Sequence, residues 1–175
     1  MIPKVSFIQD DMRNLASVSK FDAIINIFTS FGYFDSENDN ILMLRKISRA
    51  LKRNGRFLIE LNNTLRTLTR MGKEGKVNKK TGLLTTIRKN KLSNGIVVTT
   101  KDEFDSRTMR WSMSTHWKER GKMNGYKTDL RMFSLPELKH LMEENGLRVE
   151  KVWGGLDGSP FGLESPRMVL LARKS

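Results

Sequence analysis

The sequence predicts an α/β protein in which an antiparallel β-meander is inserted into a partly parallel sheet. Residues 21–63 read as a buried strand, a polar loop, an amphipathic helix and a second buried strand, which is the pattern of one βαβ unit. Residues 84–133 hold four runs in which apolar and polar residues alternate, typical of antiparallel strands with one solvent-exposed face. Residues 134–174 predict one capped helix followed by an antiparallel strand pair.

The βαβ unit is predicted from the spacing of its apolar residues. Phe21–Phe28 is a nearly unbroken apolar run, as expected of a parallel strand that is covered on both faces. Apolar residues then recur at helical spacing from Ile41 to Leu51, and Asn54-Gly55 is predicted to end the helix in the left-handed conformation. Phe57–Leu61 is the second strand, parallel to the first.

Candidate functional positions follow the strands. Ligands of open α/β sheets bind at the carboxyl ends of strands, so Thr29–Phe34 and Glu60–Asn63 are the first places to look. A further strand is predicted at Lys4–Gln9, and Asp10-Asp11 follows it. Those carboxylates could cap a helix or accept hydrogen bonds from a ligand, and the spacing alone favours capping.

Composition excludes several classes of protein. The chain has no cysteine and two histidines, which argues against thiolate chemistry and a histidine-rich metal site. It has no phosphate-binding P-loop, nucleophile elbow or zinc-protease motif. No apolar run is long enough to span a membrane and no signal peptide opens the chain, so we expect an intracellular, cytoplasmic protein without a membrane partner.

The net charge of +13 is concentrated in the middle of the chain. Residues 64–133 contain seventeen Lys and Arg but six Asp and Glu, and therefore supply eleven of the thirteen charges. Such a block could face nucleic acid or an acidic partner. A solvated, lysine-rich surface is the simpler interpretation and is favoured here.

The predicted meander has two unlike faces. Around Thr108–Glu119 one face carries Trp111 and Trp117, and the other is basic and includes His116. The apolar face must be covered by the main domain, by a second subunit or by a ligand. His116 could act as a general base from the polar face.

The ordered segments resemble a known family. The succession of a strand with DDMR, the run FDAIINIFTSFGYF and a helix ending in LKRNGRFLIELNN resembles the later half of a class I S-adenosyl-L-methionine (SAM)-dependent methyltransferase. The resemblance implies a partial Rossmann-like methyltransferase sheet with a C-terminal antiparallel strand pair, formed by residues 1–63 and 134–175. Residues 64–133 would be a basic linker and an inserted meander, similar to the substrate-covering insertion of glycine N-methyltransferase-like members.

The resemblance also implies roles for individual residues. Asp11 and Met12 would contact the adenine of the cofactor. Ile27 would pack near the cofactor, and Ser30 would contact its amino-acid end. The methyl acceptor would face a set formed by Tyr33, Asn62 and the loop 154–160, with His116 as a further candidate on the meander.

One part of the family pattern has no counterpart. These 175 residues contain neither the first strand with its glycine-rich loop nor the acidic residue that holds the ribose. The resemblance therefore implies a truncated chain, a fragment, or half of a site that another polypeptide completes. The edge of Ala23–Phe28 would then be open, which favours a homodimer through that edge or through the meander.

Three functions follow as hypotheses. The first is SAM-dependent methylation of a small-molecule acceptor. The second is methylation of nucleic acid through the basic block 64–133. The third is a methyltransferase remnant without activity that associates with itself.

Overall fold

The computed structural model describes residues 5–175, which form two sheets and three α-helices. The first sheet has four strands in the order β1-β2-β9-β8, and the second has five in sequential order. The strands are β1 (Phe21–Asn26), β2 (Leu51–Asn62), β3 (Lys76–Val77), β4 (Leu84–Lys91), β5 (Val97–Asp105), β6 (Arg110–Glu119), β7 (Lys122–Arg131), β8 (Leu147–Trp153) and β9 (Arg167–Lys174). The helices are α1 (Glu37–Ala50), α2 (Thr64–Glu74) and α3 (Leu135–Glu144).

The predicted βαβ unit is present. Strand β1 pairs in parallel with β2, and α1 is the crossover between them. Ser36 caps α1, its side chain accepting a hydrogen bond from the Asn38 N–H at 3.2 Å. The buried side of α1 includes Met43, Leu44 and Ile47, which pack into the main core.

The end of α1 differs from the prediction. The helix ends at Ala50, because Leu51 turns into extended conformation and pairs with Phe21 in the sheet. The next residues form an irregularity in β2, where Asn54 has the left-handed φ of 61°. Asn54-Gly55 does contain a left-handed residue, but it forms this bulge in β2 and does not end the helix.

Two strand predictions were wrong for the described residues. Residues 5–11 have no regular secondary structure, and Phe7 is 96% exposed. Lys4, the first residue of that predicted strand, lies outside the described residues. Strand β1 was expected to be covered on both faces, yet Ile25 is 66% exposed. Both differences have one cause, since β1 pairs only with β2 among the described strands and segment 5–9 has no strand beside it.

The meander forms as predicted and packs against α2. Its strands β4–β7 are antiparallel, and the inner face includes Trp111, Met113 and Phe104. Met71 of α2 packs in a small second core with Phe104. Helix α2 is therefore held by apolar contact with the sheet.

The C-terminal part agrees with the sequence pattern. Ser134 and Glu137 form the predicted capping box of α3, and Gly146 follows the helix with a φ of 77°. Strands β8 and β9 form the predicted antiparallel pair. The main core lies between the helices α1 and α3 and the sheet. Within residues 5–175 no helix has the length and apolarity required to cross a membrane.

Candidate active site at the carboxyl edge of the sheet

The backbone after β1 adopts an unusual conformation at the sheet edge. Phe28 and Thr29 have φ values of 60° and 56°, in the left-handed region that side chains with a Cβ rarely occupy. Two such residues in succession cost of the order of 1–3 kcal/mol each and persist only where the surroundings hold them. Conformations of this kind cluster at binding and catalytic sites, so the turn marks this edge as a candidate site.

A buried carboxylate holds that turn. Glu60 on β2 is 1% exposed, and its carboxylate accepts a hydrogen bond from the Phe28 N–H at 2.5 Å. The Glu60 carbonyl accepts another from the Thr29 N–H at 3.2 Å. Arg167 on the neighbouring strand β9 supplies the counter-charge, with its Nε 2.7 Å from the carboxylate. The strained turn is therefore fixed by an ion pair inside the sheet edge.

The same arginine orients the end of β2. Arg167 donates to the Asn62 side-chain oxygen and, at 3.3 Å, to the Thr29 hydroxyl. The Thr29 hydroxyl also accepts a hydrogen bond from the Asn62 N–H at 3.0 Å. Asn62 is thereby held in one orientation by β1, β2 and β9 together.

The predicted cofactor residues lie around the end of β1. A single 3₁₀ turn over Met12–Asn14 docks beside the strand, and the Met12 Sδ lies 4.0 Å from the Asn26 amide nitrogen. The Asp11 carboxylate is exposed and accepts two hydrogen bonds from the Arg13 guanidinium, from Nη2 at 2.7 Å and from Nε at 3.0 Å. Ile27 is half-buried, and the Ser30 hydroxyl donates to its carbonyl at 2.6 Å.

Arg13 stabilises the ionised form of Asp11. Hydrogen bonds from the Arg13 side chain and backbone lower the pKa of the Asp11 carboxyl to about 2, so the carboxylate persists to a lower pH than an ordinary aspartate. Arg13 also bonds Asp39 of α1 at 3.1 Å and lies 4.9 Å from the centre of the Phe34 ring. These contacts tie the Asp11 turn to the loop that follows β1.

The residues present fit part of a SAM site. Asp11 offers acceptor oxygens for an amine, and the exposed Met12 side chain offers an apolar surface. Asn26 is 93% buried, and its amide oxygen has no hydrogen-bond partner in the described part of the chain, so a ligand donor would satisfy it. The sequence has no glycine-rich loop, so the fit extends only to this side of the cofactor.

Two of the predicted acceptor-facing residues share a cavity. A space of about 120 Å³ lies between the sheet edge and the inner face of the meander. Tyr33, Asn62, Trp111, Met113, Thr128 and Leu130 line it. The lining is mostly apolar with a few polar groups, as in small-molecule sites.

His116 and the loop 154–160 are not brought to this cavity. His116 is exposed on the outer face of the meander, where its ring lies against Gly125. Residues 154–160 are not among the lining residues of the cavity. The adjoining segment 162–165 is held by Asn63, whose amide donates to the carbonyls of Gly162 at 2.9 Å and Ser165 at 3.0 Å.

Sequence reasoning missed the Glu60–Arg167 pair and the anchoring of Trp111. A signal for the pair existed, because Glu60 interrupts the apolar run Phe57–Leu61 and Arg167 directly precedes the apolar run 168–172, with the opposite charge. The Trp111 indole donates to the Asp102 carboxylate at 3.0 Å, and Asp102 is fully buried. Asp102 is a single acidic residue in a strand of alternating character, and this pattern does not indicate that its carboxylate would anchor Trp111 beside the cavity.

Comparison with known proteins was made by sequence and by structure. No protein-family model matches the chain, and no curated protein matches it in sequence. The methyltransferase CcbJ of Streptomyces caelestis is similar in structure, with a TM-score of 0.75 at 16% identity over 90% of this chain and 62% of CcbJ. A SAM-dependent methyltransferase of Clostridium acetobutylicum gives a TM-score of 0.76 at 14% identity, over 95% of this chain and 63% of that one.

The chain has a class I SAM-dependent methyltransferase-like fold. The fold expected from the resemblance is thus confirmed. DesVI of Streptomyces venezuelae is also similar, with a TM-score of 0.59 at 18% identity over 95% of this chain and 64% of DesVI. The chain spans less than two thirds of the length of each of these structures.

Proposed function

We propose that this chain takes part in SAM-dependent methyl transfer to a small-molecule acceptor at the carboxyl edge of the first sheet. The observation that carries the proposal is the cavity of about 120 Å³ beside the strained turn, lined by Tyr33 and Asn62. It lies where a methyltransferase-like fold joins its covering meander. Asn62 connects the three features, because it lines the cavity and is hydrogen-bonded to Thr29 of the turn and to Arg167 of the ion pair.

The cofactor side would be formed by the end of β1 and the turn before it. Bound SAM supplies an electrophilic methyl group. Asp11 would accept from the adenine amine, and Met12 with Ile27 would pack against the cofactor. Ser30 would contact the amino-acid end through a hydroxyl that now bonds the Ile27 carbonyl. The buried Asn26 oxygen adds an acceptor that needs a donor.

The acceptor side would orient the nucleophile and exclude water. Asn62 is fixed by Arg167 and can hydrogen-bond an acceptor atom through its amide. Tyr33 adds a hydroxyl at the mouth of the cavity, while Trp111 and Leu130 supply apolar walls. Methyl transfer between held partners depends mainly on proximity and alignment, which explains how such a site could work without a triad or metal.

The open edge of β1 belongs to the same proposal. Ile25 on β1 is 66% exposed, and Phe28, two residues beyond the end of the strand, is 74% exposed. The strand pairs on one side only among the described residues. An unpaired apolar edge favours pairing with another strand. We propose that a polypeptide segment outside these 175 residues pairs there and completes the cofactor site. A homodimer through the edge is the alternative, and sedimentation velocity distinguishes a monomer from a dimer.

Nucleic acid is a second candidate acceptor. The outer face of the meander carries the exposed residues Lys89, Lys101, Lys118 and Lys127, which the strand register places on one side of the sheet. Binding to RNA that weakens steeply with salt would support this candidate. Absence of binding at low salt would remove it.

SAM binding is the direct test. Isothermal titration calorimetry on the 175-residue chain should give binding that Asp11→Ala loses and Asp22→Ala retains. Asp22 is the matched control because it lies on β1 and is paired with Lys52 at the opposite end of the strand. Equal binding by both variants would contradict the role given to Asp11. Absence of heat from a folded chain would mean that this chain alone does not hold the cofactor.

A further inference from the structure

A second cavity, of about 350 Å³, lies beside the first and is lined by a basic helix face. Arg66, Arg70 and Lys73 of α2 line it. These residues follow one another at intervals of four and three, so they share one face of the helix. The opposite face carries Leu68 and Met71, which pack on the meander. The packing of α2 therefore directs its cations into the cavity.

The cations are not neutralised by ion pairs with described residues. The salt bridges found among residues 5–175 include none to Arg66, Arg70 or Lys73. Glu74 and Glu164 also line the cavity, so it carries three positive and two negative side chains. Like charges one helical turn apart repel each other, and an anion bound between them would relieve that repulsion.

The two cavities share two lining residues. Asn62 and Trp111 line both the basic cavity and the cavity proposed for the methyl acceptor. The Trp111 indole is held by the buried Asp102, which also pairs with Arg88 at 2.7 Å. A ligand that contacted both the cations and Tyr33 would therefore have to pass Asn62, which Arg167 fixes, and Trp111.

We infer that the acceptor carries an anionic group, phosphate or carboxylate, which binds Arg66, Arg70 and Lys73 while its reactive atom lies between Tyr33 and Asn62. This inference rests on the proposed function. Guanidinium groups suit both anions because they donate two parallel hydrogen bonds. The cavity favours a small molecule over nucleic acid, since the space is that of a drug-sized ligand and the broad lysine face lies on the other side of the meander.

The experiment measures anion binding by the full chain without any cofactor. Inorganic pyrophosphate and succinate are titrated separately into wild type, R66Q/R70Q and R49Q/R53Q by isothermal titration calorimetry. R49Q/R53Q is the matched control because it also removes two positive charges, from exposed residues that flank the start of β2 at the other end of the sheet. We expect R66Q/R70Q to bind the preferred anion about tenfold more weakly or worse, as loss of charged hydrogen bonds predicts, and R49Q/R53Q to match wild type. The preferred probe then identifies the group as phosphate or carboxylate.

Three results would overturn the inference. The first is that neither probe binds. The second is that R49Q/R53Q loses as much affinity as R66Q/R70Q, which would reduce the effect to net charge. The third is an oligonucleotide that displaces pyrophosphate and requires Arg66 and Arg70, which would put nucleic acid in this cavity. Because no SAM is present, anion binding survives if the chain proves unable to hold SAM, so the two proposals fail separately. Both arginines are exposed, and circular dichroism checks that the variants remain folded.

Discussion

Replacing Arg167 should reveal how strongly the strained turn depends on the ion pair beneath it. Arg167→Met removes the counter-charge of Glu60, whose side chain is 2% exposed, and leaves a carboxylate buried beside the Phe28 N–H. Breaking a buried pair costs about 3–5 kcal/mol, and we expect about 3 because the Arg167 side chain is 33% exposed and part of its charge is already screened. For a domain of this size, that corresponds to a fall in Tm of about 6–12 °C.

Urea unfolding followed by far-UV circular dichroism measures the change in the free energy of unfolding. Arg173→Met is the matched control on the same strand, since Arg173 pairs with the solvent-accessible Glu150, and its loss should cost clearly less than that of Arg167. The double variant Glu60→Gln/Arg167→Met has no buried charge and should be more stable than Arg167→Met by about 1 kcal/mol or more. A loss no larger than that of Arg173→Met, or a double variant as unstable as the single, would refute this account of the turn.

Three further predictions concern other parts of the chain. The pKa of Asp11, measured by NMR titration, should be about 2 and should rise towards 3.8 in Arg13→Gln. Since folding lowers this pKa, the stabilisation is present above pH 3.8 and lost as the pH falls towards 2, and an unchanged pKa in the variant would disprove it. Gly32→Ala should destabilise by about 2 kcal/mol or more in urea unfolding, because its φ is +103° and a Cβ would lie 2.4 Å from a carbonyl oxygen of β7. Gly72→Ala in open space on α2 should be neutral or stabilising, and a similar loss in both would contradict the steric argument. Ser134→Ala should cost about 1 kcal/mol through loss of the α3 cap, whereas Ser134→Gly should cost only a few tenths; equal effects would count against the cap.

Local patterns predicted most of the regular structure. The alternation in the meander and the capping box at Ser134 depend on neighbouring residues, so the sequence carries them directly. The parallel pairing of β1 with β2 followed from the apolar spacing of one βαβ unit. Residues 5–9 were mispredicted because a strand requires a partner, and an apolar run does not reveal whether that partner exists.

The sequence indicated some residues of the candidate site and missed those that depend on long-range pairing. The resemblance indicated Asn62 and Tyr33, and the structure places both at one cavity. It did not indicate Arg167, which reaches Glu60 and Asn62 from a strand 105 residues away from Asn62 in sequence. Such long-range pairing depends on the order of strands in the sheet, which the spacing of residues does not encode. His116 was a candidate by residue type alone, and the twist and register of the meander turn it outward.

The two sides of the edge differ in how their side chains are held. On the proposed acceptor side, Glu60, Thr29 and Asn62 are joined through Arg167, and Trp111 is anchored by a buried carboxylate. The Thr128 hydroxyl in the cavity is buried there without a partner among the described residues. On the proposed cofactor side, Asn26 has a buried oxygen without a partner among the described residues. Ile25 of β1 and Phe28, just beyond the strand, are exposed beside its unpaired edge. Burial of unpaired polar groups and exposure of apolar strands both cost free energy, so a contact that relieves both at once would be favoured. The structure of β1 therefore supports our proposal that the acceptor half is formed within this chain and the cofactor half is completed by a partner at that edge.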